Sequence, residues 1–339
     1  MIADEDTFNE EYLYECRETL QNVLSDSVYN VRVCFGIYRT DNMNESLSFM
    51  CDKASFAVAS IKDDTHSFIA YYDDTMLEAA IKYKTIVDEF DDAIKAGEFK
   101  MYLQPQISAK TRRLTGAEAL VRRIKPDGTI ISPIDFIPVY EKSGLISRLD
   151  RYIWEQAAAK LGEWKKAGIN MSISVNISPK DFYYIDIFNT FAGLIKKYDI
   201  EPSNLKIEIT ETTIMSDVPN LMGELEELRK AGFTLEMDDF GSGYSSLNTL
   251  KDINVDVLKV DMGFIKETKN VKKSRIILAS VIKMAKELNL LIITEGVETE
   301  EQVDNLTKLG CDVFQGYYFS KAIDVNEFEK RYLYRKKAG

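Results

Sequence analysis

The sequence predicts an α/β protein, a (β/α)8 barrel preceded by a small α+β segment. From Phe99 onward, short apolar runs alternate with helical stretches of about a dozen residues or more, the signature of repeated βα units. Eight such runs fit within about 240 residues, close to the ~250 typical of such a barrel. No G-x-G-x-x-G turn supports an open doubly wound sheet, the alternative with the same alternation.

Taken in order, the first eighty or so residues read αβαβ. Asn9 to Leu24 sets Tyr12, Cys16, Leu20 and Val23 at helical spacing, and Val31 to Ile37 is a β-branched and aromatic run that predicts a strand. Glu45 to Ile61 predicts a helix with Met50, Ala54, Phe56, Ala57 and Ala59 inward, and His66 to Tyr72 a last strand. Alone, these elements are too few for a well-covered sheet. Asp74 to Gly97 predicts a connecting helix whose apolar side is Leu77, Ile81, Ile86, Phe90 and Ile94. The barrel strands are then expected over Met101 to Ile107, Ala117 to Ile124, Met171 to Ile177, Leu205 to Ile209, Thr234 to Met237, Val255 to Val260, Leu290 to Ile293 and Val313 to Gln315.

Size and composition bound the function. The chain has 339 residues, 45% of them hydrophobic, which predicts two domains; we place them at 1–84 and 85–339. No apolar run approaches the ~20 residues of a membrane span, and acidic residues after Met1 leave no signal-peptide pattern. Cys16, Cys34, Cys51 and Cys311 lack metal-finger spacing and read as unpaired thiols inside elements, which predicts a cytoplasmic location. His66 is the one histidine, so a metal here is expected to be hard and oxygen-bound: magnesium, manganese or calcium. A formal charge of −12 argues against long nucleic acid as partner but leaves a small anionic ligand open where cations offset the field.

The chemistry converges on Leu235 to Leu247, LEMDDFGSGYSSL. An apolar strand ends in two adjacent acids, Asp238 and Asp239, followed by a glycine loop and a run able to open a helix. Adjacent side chains on a strand face opposite ways, so one acid can bridge two cations while the other completes the second site of a two-metal phosphoryl displacement. The alternative is that the pair only turns the chain and caps a helix. The other strand ends shift the balance. Barrel chemistry gathers at the C-terminal strand ends, and these supply Glu118, Asn176, Glu208, Lys259, Glu295 and Gln315. That much negative charge in one place is costly unless cations fill the space, so the set implies a divalent-metal site.

These residues sit in seven ordered motifs: Glu118 to Arg122 (EALVR), Asn176 to Ser178 (NIS), Glu208 to Glu211 (EITE), Asp238 to Leu247, Lys259 to Asp261 (KVD), Glu295 to Glu298 (EGVE) and Gln315 to Tyr317 (QGY). From about Phe99 to Tyr332 the chain resembles the EAL family of cyclic di-GMP phosphodiesterases. The resemblance implies hydrolysis of cyclic di-GMP to linear 5'-pGpG, ending a bacterial second-messenger signal, on a TIM-type barrel whose first strand runs against the others. It also implies a homodimer.

Carried over to these positions, Glu118, Asn176, Glu208 and Asp238 hold one metal, and Asp238 with Asp239 the second; the oxygens suit Mg2+ or Mn2+. Lys259 orients or deprotonates the attacking water, with a pKa expected to be lowered by nearby cations. Glu295 and Gln315 fix waters around the second metal. Glu211 and Glu298 support the site from behind, Glu211 by steadying the loop Gly241 to Ser246, which couples it to the dimer interface. For the ligand, Arg122 engages phosphate, Gln104 and Asp135 pair with guanine edges, and Leu120 offers an apolar face. Arg122 and Asp135 read equally well as surface ion-pair residues.

Where the family has tryptophan this chain has Arg123; Tyr140 replaces a small residue, and Ala322 stands where proline is usual. None is a metal ligand, so changed packing or affinity is expected. Two other readings are a non-hydrolysing cyclic di-GMP receptor, against which the intact acid set argues, and an unrelated magnesium barrel enzyme. The first eighty residues resemble the C-terminal part of a GGDEF (diguanylate cyclase) domain, through VCFGIY and CDKASFAVASIKDD, without the signature that cyclase activity needs. A longer, membrane-anchored parent is compatible with this start.

Overall fold

A computed structural model of the chain describes residues 7–24, 32–40, 42, 44–62, 64, 66–215, 221–241, 250–251, 253–261 and 271–334. It divides into two compact units, Met1–Glu89 and Phe90–Gly339.

The first unit holds α1 (Glu10–Leu24), β1 (Phe35–Ile37), α2 (Leu47–Ser60), β2 (Ile69–Tyr71) and α3 (Asp74–Asp88), with β1 and β2 parallel. Ser46 caps α2 by accepting the Phe49 N–H, one of the donors a helix start leaves without partners. Gly36 lets α2 lie on the sheet, since a Cβ there would come within 2.0 Å of the Ala54 carbonyl oxygen. Cys51 is exposed rather than interior. The helix expected over 74–97 is two helices, α3 and α4 (Phe90–Lys95), interrupted at Glu89.

In the second unit the eight expected barrel strands all form: β3 (Phe99–Ser108), β4 (Leu114–Ile124), β6 (Ile173–Ile177), β7 (Leu205–Thr210), β8 (Leu235–Asp238), β9 (Val257–Asp261), β10 (Leu291–Glu295) and β11 (Val313–Phe314). A short hairpin strand, β5 (Ile130–Ile131), pairs with β4, and β12 (Ile323–Asp324) with β3. From β4 to β11 the barrel neighbours pair in parallel, but β3 is antiparallel to both β4 and β11, closing the barrel with its first strand reversed. The helices α5 (Pro133–Ser143), α6 (Ile146–Lys166), α7 (Asp181–Tyr184), α8 (Ile187–Tyr198), α9 (Glu211–Met215), α10 (Leu221–Lys230), α11 (Val271–Glu287) and α12 (Glu300–Leu309) intervene, and α13 (Val325–Phe328) follows β12.

Period-two alternation sorts the strand residues. Ile173, Val175 and Ile177, with Leu205, Ile207 and Ile209, are buried on the helix-facing side, alongside Trp154, Leu161 and Phe191 of α6 and α8. The alternate residues, among them Ser174, Lys206, Glu208, Glu236 and Lys259, point into the barrel.

Two departures from the family pattern are packing. Arg123 faces away from the Arg122 side of β4, is 2% exposed, and donates to Glu98 at 2.9 Å. Tyr140 is fully buried in an aromatic cluster with Phe90, Phe99 and Phe136, ring centroids 4.9 to 6.0 Å from its own. Each such ring contributes about 1.5–3 kcal/mol by leaving water. Among the described residues, no helix is long and apolar enough to cross a membrane.

Candidate metal centre

Lys259, on β9, is the centre of the inward-facing groups. Its Nζ is fully buried and lies 2.8 Å from Glu295 Oε1, 3.0 Å from Glu208 Oε2, 3.2 Å from Asp238 Oδ1 and 3.3 Å from Glu118 Oε2. Four strands thus aim carboxylates at one ammonium. Burial alone would lower the lysine pKa, but Asp238, Glu118, Glu208 and Glu295 outweigh it and hold the group well above its ordinary range. The lowering expected of Lys259 depends on cations at the rim; the four carboxylates by themselves act in the other direction.

The carboxylates carry the opposite strain. Burial raises Glu208 well above the ordinary range, Glu118 adding to it. Glu295 is pushed up to about 8, first by burial and then by Asp238 and Glu118 against the pull of Lys259. Asp239 is raised by burial and by Asp238. One oxygen of Glu208, Oε1, is buried without a hydrogen-bond donor.

Asp238 and Asp239 do not diverge as a continuing strand would make them. Asp238 is the last strand residue, and Asp239 adopts φ 54, the left-handed region that Asp tolerates better than most residues. That turn brings both carboxylates to one side, where Asp238, Asp239 and Glu295 place oxygens within 4.8 Å of one another, a spacing able to hold a metal ion.

Amides brace the acids. Asn176 Nδ2 donates to Glu118 Oε1 at 3.4 Å. Gln315 Nε2 donates to Glu118 Oε2 and, at 3.3 Å, to Gln104 Oε1, while Gln315 accepts from Gln106 Nε2 at 3.2 Å. Gln315 can reach inward because Gly316 follows it; a Cβ there would lie 2.2 Å from the Val297 carbonyl oxygen.

The remaining predicted residues scatter more. Glu211 is buried at the start of α9, directly behind β7. Glu298 has an exposed side chain, its backbone N–H held by Gln302 Oε1 at 2.7 Å where α12 is capped. Leu120 and Arg122 share the inward face of β4 with Glu118 and lie further along the strand, Arg122 half-buried and 5.9 Å from the Tyr102 ring. Burial lowers the Arg122 pKa. Asp135 sits in the first turn of α5. Gln104 is tied into the Gln315 network and to the Ser320 carbonyl at 3.3 Å, so its amide is already engaged. Of the loop Gly241 to Ser246, all but Gly241 lies outside the described residues.

Sequence reasoning missed Gln106, Lys206 and Glu236. Lys206 Nζ lies 2.8 Å from Glu236 Oε1, and Ser174 Oγ donates to Glu236 Oε2 at 2.8 Å. The signal was parity: Gln106 shares a strand face with Gln104, Lys206 with Glu208, and Glu236 with Asp238.

A closed barrel with a reversed first strand thus carries at its strand tips a surplus of acids around one lysine and a carboxylate cluster of a span able to hold a metal ion. Residues 87–322 match the EAL domain, and the chain belongs to that family. It is 34% identical over 278 residues to the signaling protein YkoW of Bacillus subtilis, covering 82% of this chain and 35% of that protein. Against the probable cyclic di-GMP phosphodiesterase PdeG of Escherichia coli it is 36% identical over 252 residues, 72% of this chain and 48% of that one. Among solved structures it resembles the PaMucR phosphodiesterase in complex with c-di-GMP, with TM-score 0.67 and 32% identity over 72% of this chain and 99% of that chain. The chain spans about a third to a half of the length of such curated relatives.

Proposed function

We propose that the barrel hydrolyses cyclic di-GMP to linear 5'-pGpG with Mg2+ or Mn2+. The observation that carries this is the surplus of acids: Glu118, Glu208, Asp238 and Glu295 face one buried ammonium and Asp239 joins Asp238 and Glu295, in the family of relatives named for this activity.

The donor set fits hard cations: carboxylate and amide oxygens, a buried Glu208 oxygen without a donor, and an Asp238–Asp239–Glu295 cluster of suitable span. Glu118, Asn176, Glu208 and Asp238 would hold one ion, and Asp238 with Asp239 the other. When bound, the ions supply positive charge for the scissile phosphate and acidify a water near neutral pH. Lys259 would hold the facing carboxylates in place and orient or deprotonate the attacking water. Glu295 and Gln315 would fix waters and the surroundings of the second ion, Gln315 being itself held by its bond to Glu118. Arg122 would take a substrate phosphate with its planar fork, Gln104 and Asp135 would pair with guanine edges, and Leu120 would offer an apolar face to a base. Glu211 and Glu298 would support the site from behind, in a homodimeric, cytoplasmic enzyme whose first unit is GGDEF-like.

The test is incubation of purified protein with cyclic di-GMP and Mn2+ or Mg2+, then with EDTA, resolving products by chromatography. Metal-dependent pGpG is expected; tight binding of intact cyclic di-GMP in Mn2+ without cleavage would overturn the assignment in favour of a receptor.

A further inference from the structure

Three side-chain amides meet where the reversed strand closes the barrel. Gln104 and Gln106 lie on β3, and Gln315 directly follows β11. The antiparallel register that pairs Val313 with Ser108 and Phe314 with Ile107 continues to set Gln315 opposite Gln106. On its other side Gln106 pairs with Gly116 of β4, two residues before Glu118. A Cβ at Gly116 would lie 3.0 Å from Gln106 Oε1, so the glycine leaves room for the amide. Gln106 is 1% exposed and Gln315 3%. Gln106 Nε2 donates to Gln315 Oε1 at 3.2 Å. Gln315 Nε2 in turn donates to Glu118 Oε2 and, at 3.3 Å, to Gln104 Oε1, and Gln104 Nε2 donates to the Ser320 carbonyl at 3.3 Å.

An amide nitrogen only donates and an amide oxygen only accepts, and a backbone carbonyl only accepts as well. The Ser320 carbonyl therefore sets the direction of the whole chain. It requires the nitrogen of Gln104, which turns Gln104 Oε1 toward Gln315. Gln315 has to answer with its nitrogen, which leaves its oxygen facing Gln106. Only the nitrogen of Gln106 satisfies that oxygen. Without this donor the Gln315 oxygen is buried and unpaired, and nothing on that side opposes a turn of the amide that would set oxygen against Glu118. We propose that Gln106 is a positioning residue that fixes which end of the Gln315 amide meets Glu118. The consequence for metal binding by Glu118 rests on the metal-site reading above; the direction of the amide chain does not.

The test is a double-mutant cycle on the full-length chain: Gln106→Met, of similar length but without a donor, Gln315→Met, and the two together. In EDTA the thermal midpoint of Gln106→Met should fall about 2–4 °C below the parent, because a buried oxygen loses its donor. In the Gln315→Met background, where that oxygen is gone, the same change should cost less than about half as much. Calorimetric titration with Mn2+ should give binding at least about tenfold weaker for Gln315→Met, which loses the bond to Glu118, and about fivefold weaker for Gln106→Met, one bond further out. Adding Gln106→Met to Gln315→Met should leave Mn2+ affinity within about twofold, an outcome that a packing role for Gln106 would not give. Equal losses in both backgrounds, or parental Mn2+ affinity in Gln106→Met, would overturn the proposal. Should Gln106→Met not fold, Gln106→Asn, whose amide stops one carbon short of Gln315, takes its place with the same expectations. Should the parent bind no Mn2+, the metal-site reading fails, and the midpoint cycle still decides whether Gln106 holds Gln315.

Discussion

Glu208 and Glu236 are register partners on adjacent strands, both fully buried inside the same barrel, yet their environments push them in opposite directions. Burial would raise Glu236, but Lys206 beside it, with a bond to Glu208, holds it below the ordinary carboxylate range. Its two oxygens meet two donors, Lys206 and Ser174. Glu208 is raised well above that range, shares Lys259 with three other acids, and keeps one oxygen without a donor. The difference is one of matching. A buried carboxylate with as many donors as it needs is structure; a group with more acceptors than donors is one that cations would balance.

Removing acids from the two clusters should therefore have opposite signatures. At the surplus cluster, Glu118→Ala or Asp238→Asn should lower turnover of cyclic di-GMP by more than the ~100-fold typical of losing an outer partner. Neither should lower the thermal midpoint of the metal-free protein, because each relieves like-charge crowding. A variant hydrolysing at the parent rate would remove these residues from the reaction. At the matched cluster, Lys206→Met should destabilise the fold by about 3 kcal/mol, the low end for breaking a buried pair because Lys206 keeps some contact with water. Urea unfolding measures this, and adding Glu236→Leu should restore much of the loss. Failure of the double variant to recover would mean that Glu236 does more than balance Lys206.

How far the sequence reached follows the same line. The barrel was legible because its strands are short, mostly apolar runs in a repeating context, and the rim because Glu118, Glu208, Asp238 and Lys259 are polar residues within such runs. The reversal of β3 came from family resemblance alone, since an antiparallel run has the same alternation as a parallel one. Glu236 escaped because one glutamate in LEMDD looks like the solvent side of an alternating strand; only closure of the barrel turns that side inward. The joint aim of Asp238 and Asp239 escaped because a positive φ at a non-glycine residue leaves no mark in composition. The crowding of four carboxylates around Lys259 escaped because it is set by four residues on four other strands.

The finest test of the comparison is pH. Glu295 is pushed to about 8 in the folded protein by burial, Asp238 and Glu118, against an unfolded carboxyl near the ordinary ~4.3. The folded state therefore binds the extra proton between those values, and the stability it contributes is complete below about pH 4 and is lost as pH rises through about 8. In EDTA the thermal midpoint should fall between about pH 5.5 and 8.5 by at least about 2–4 °C, the shift that about 1 kcal/mol makes in a domain this size. Glu295→Gln, neutral throughout, should flatten that slope. Glu236→Gln should leave it standing, because a carboxylate held below its ordinary range is already ionised across this window. If both variants gave the parent slope, the surplus at the rim would not be what Glu295 reports.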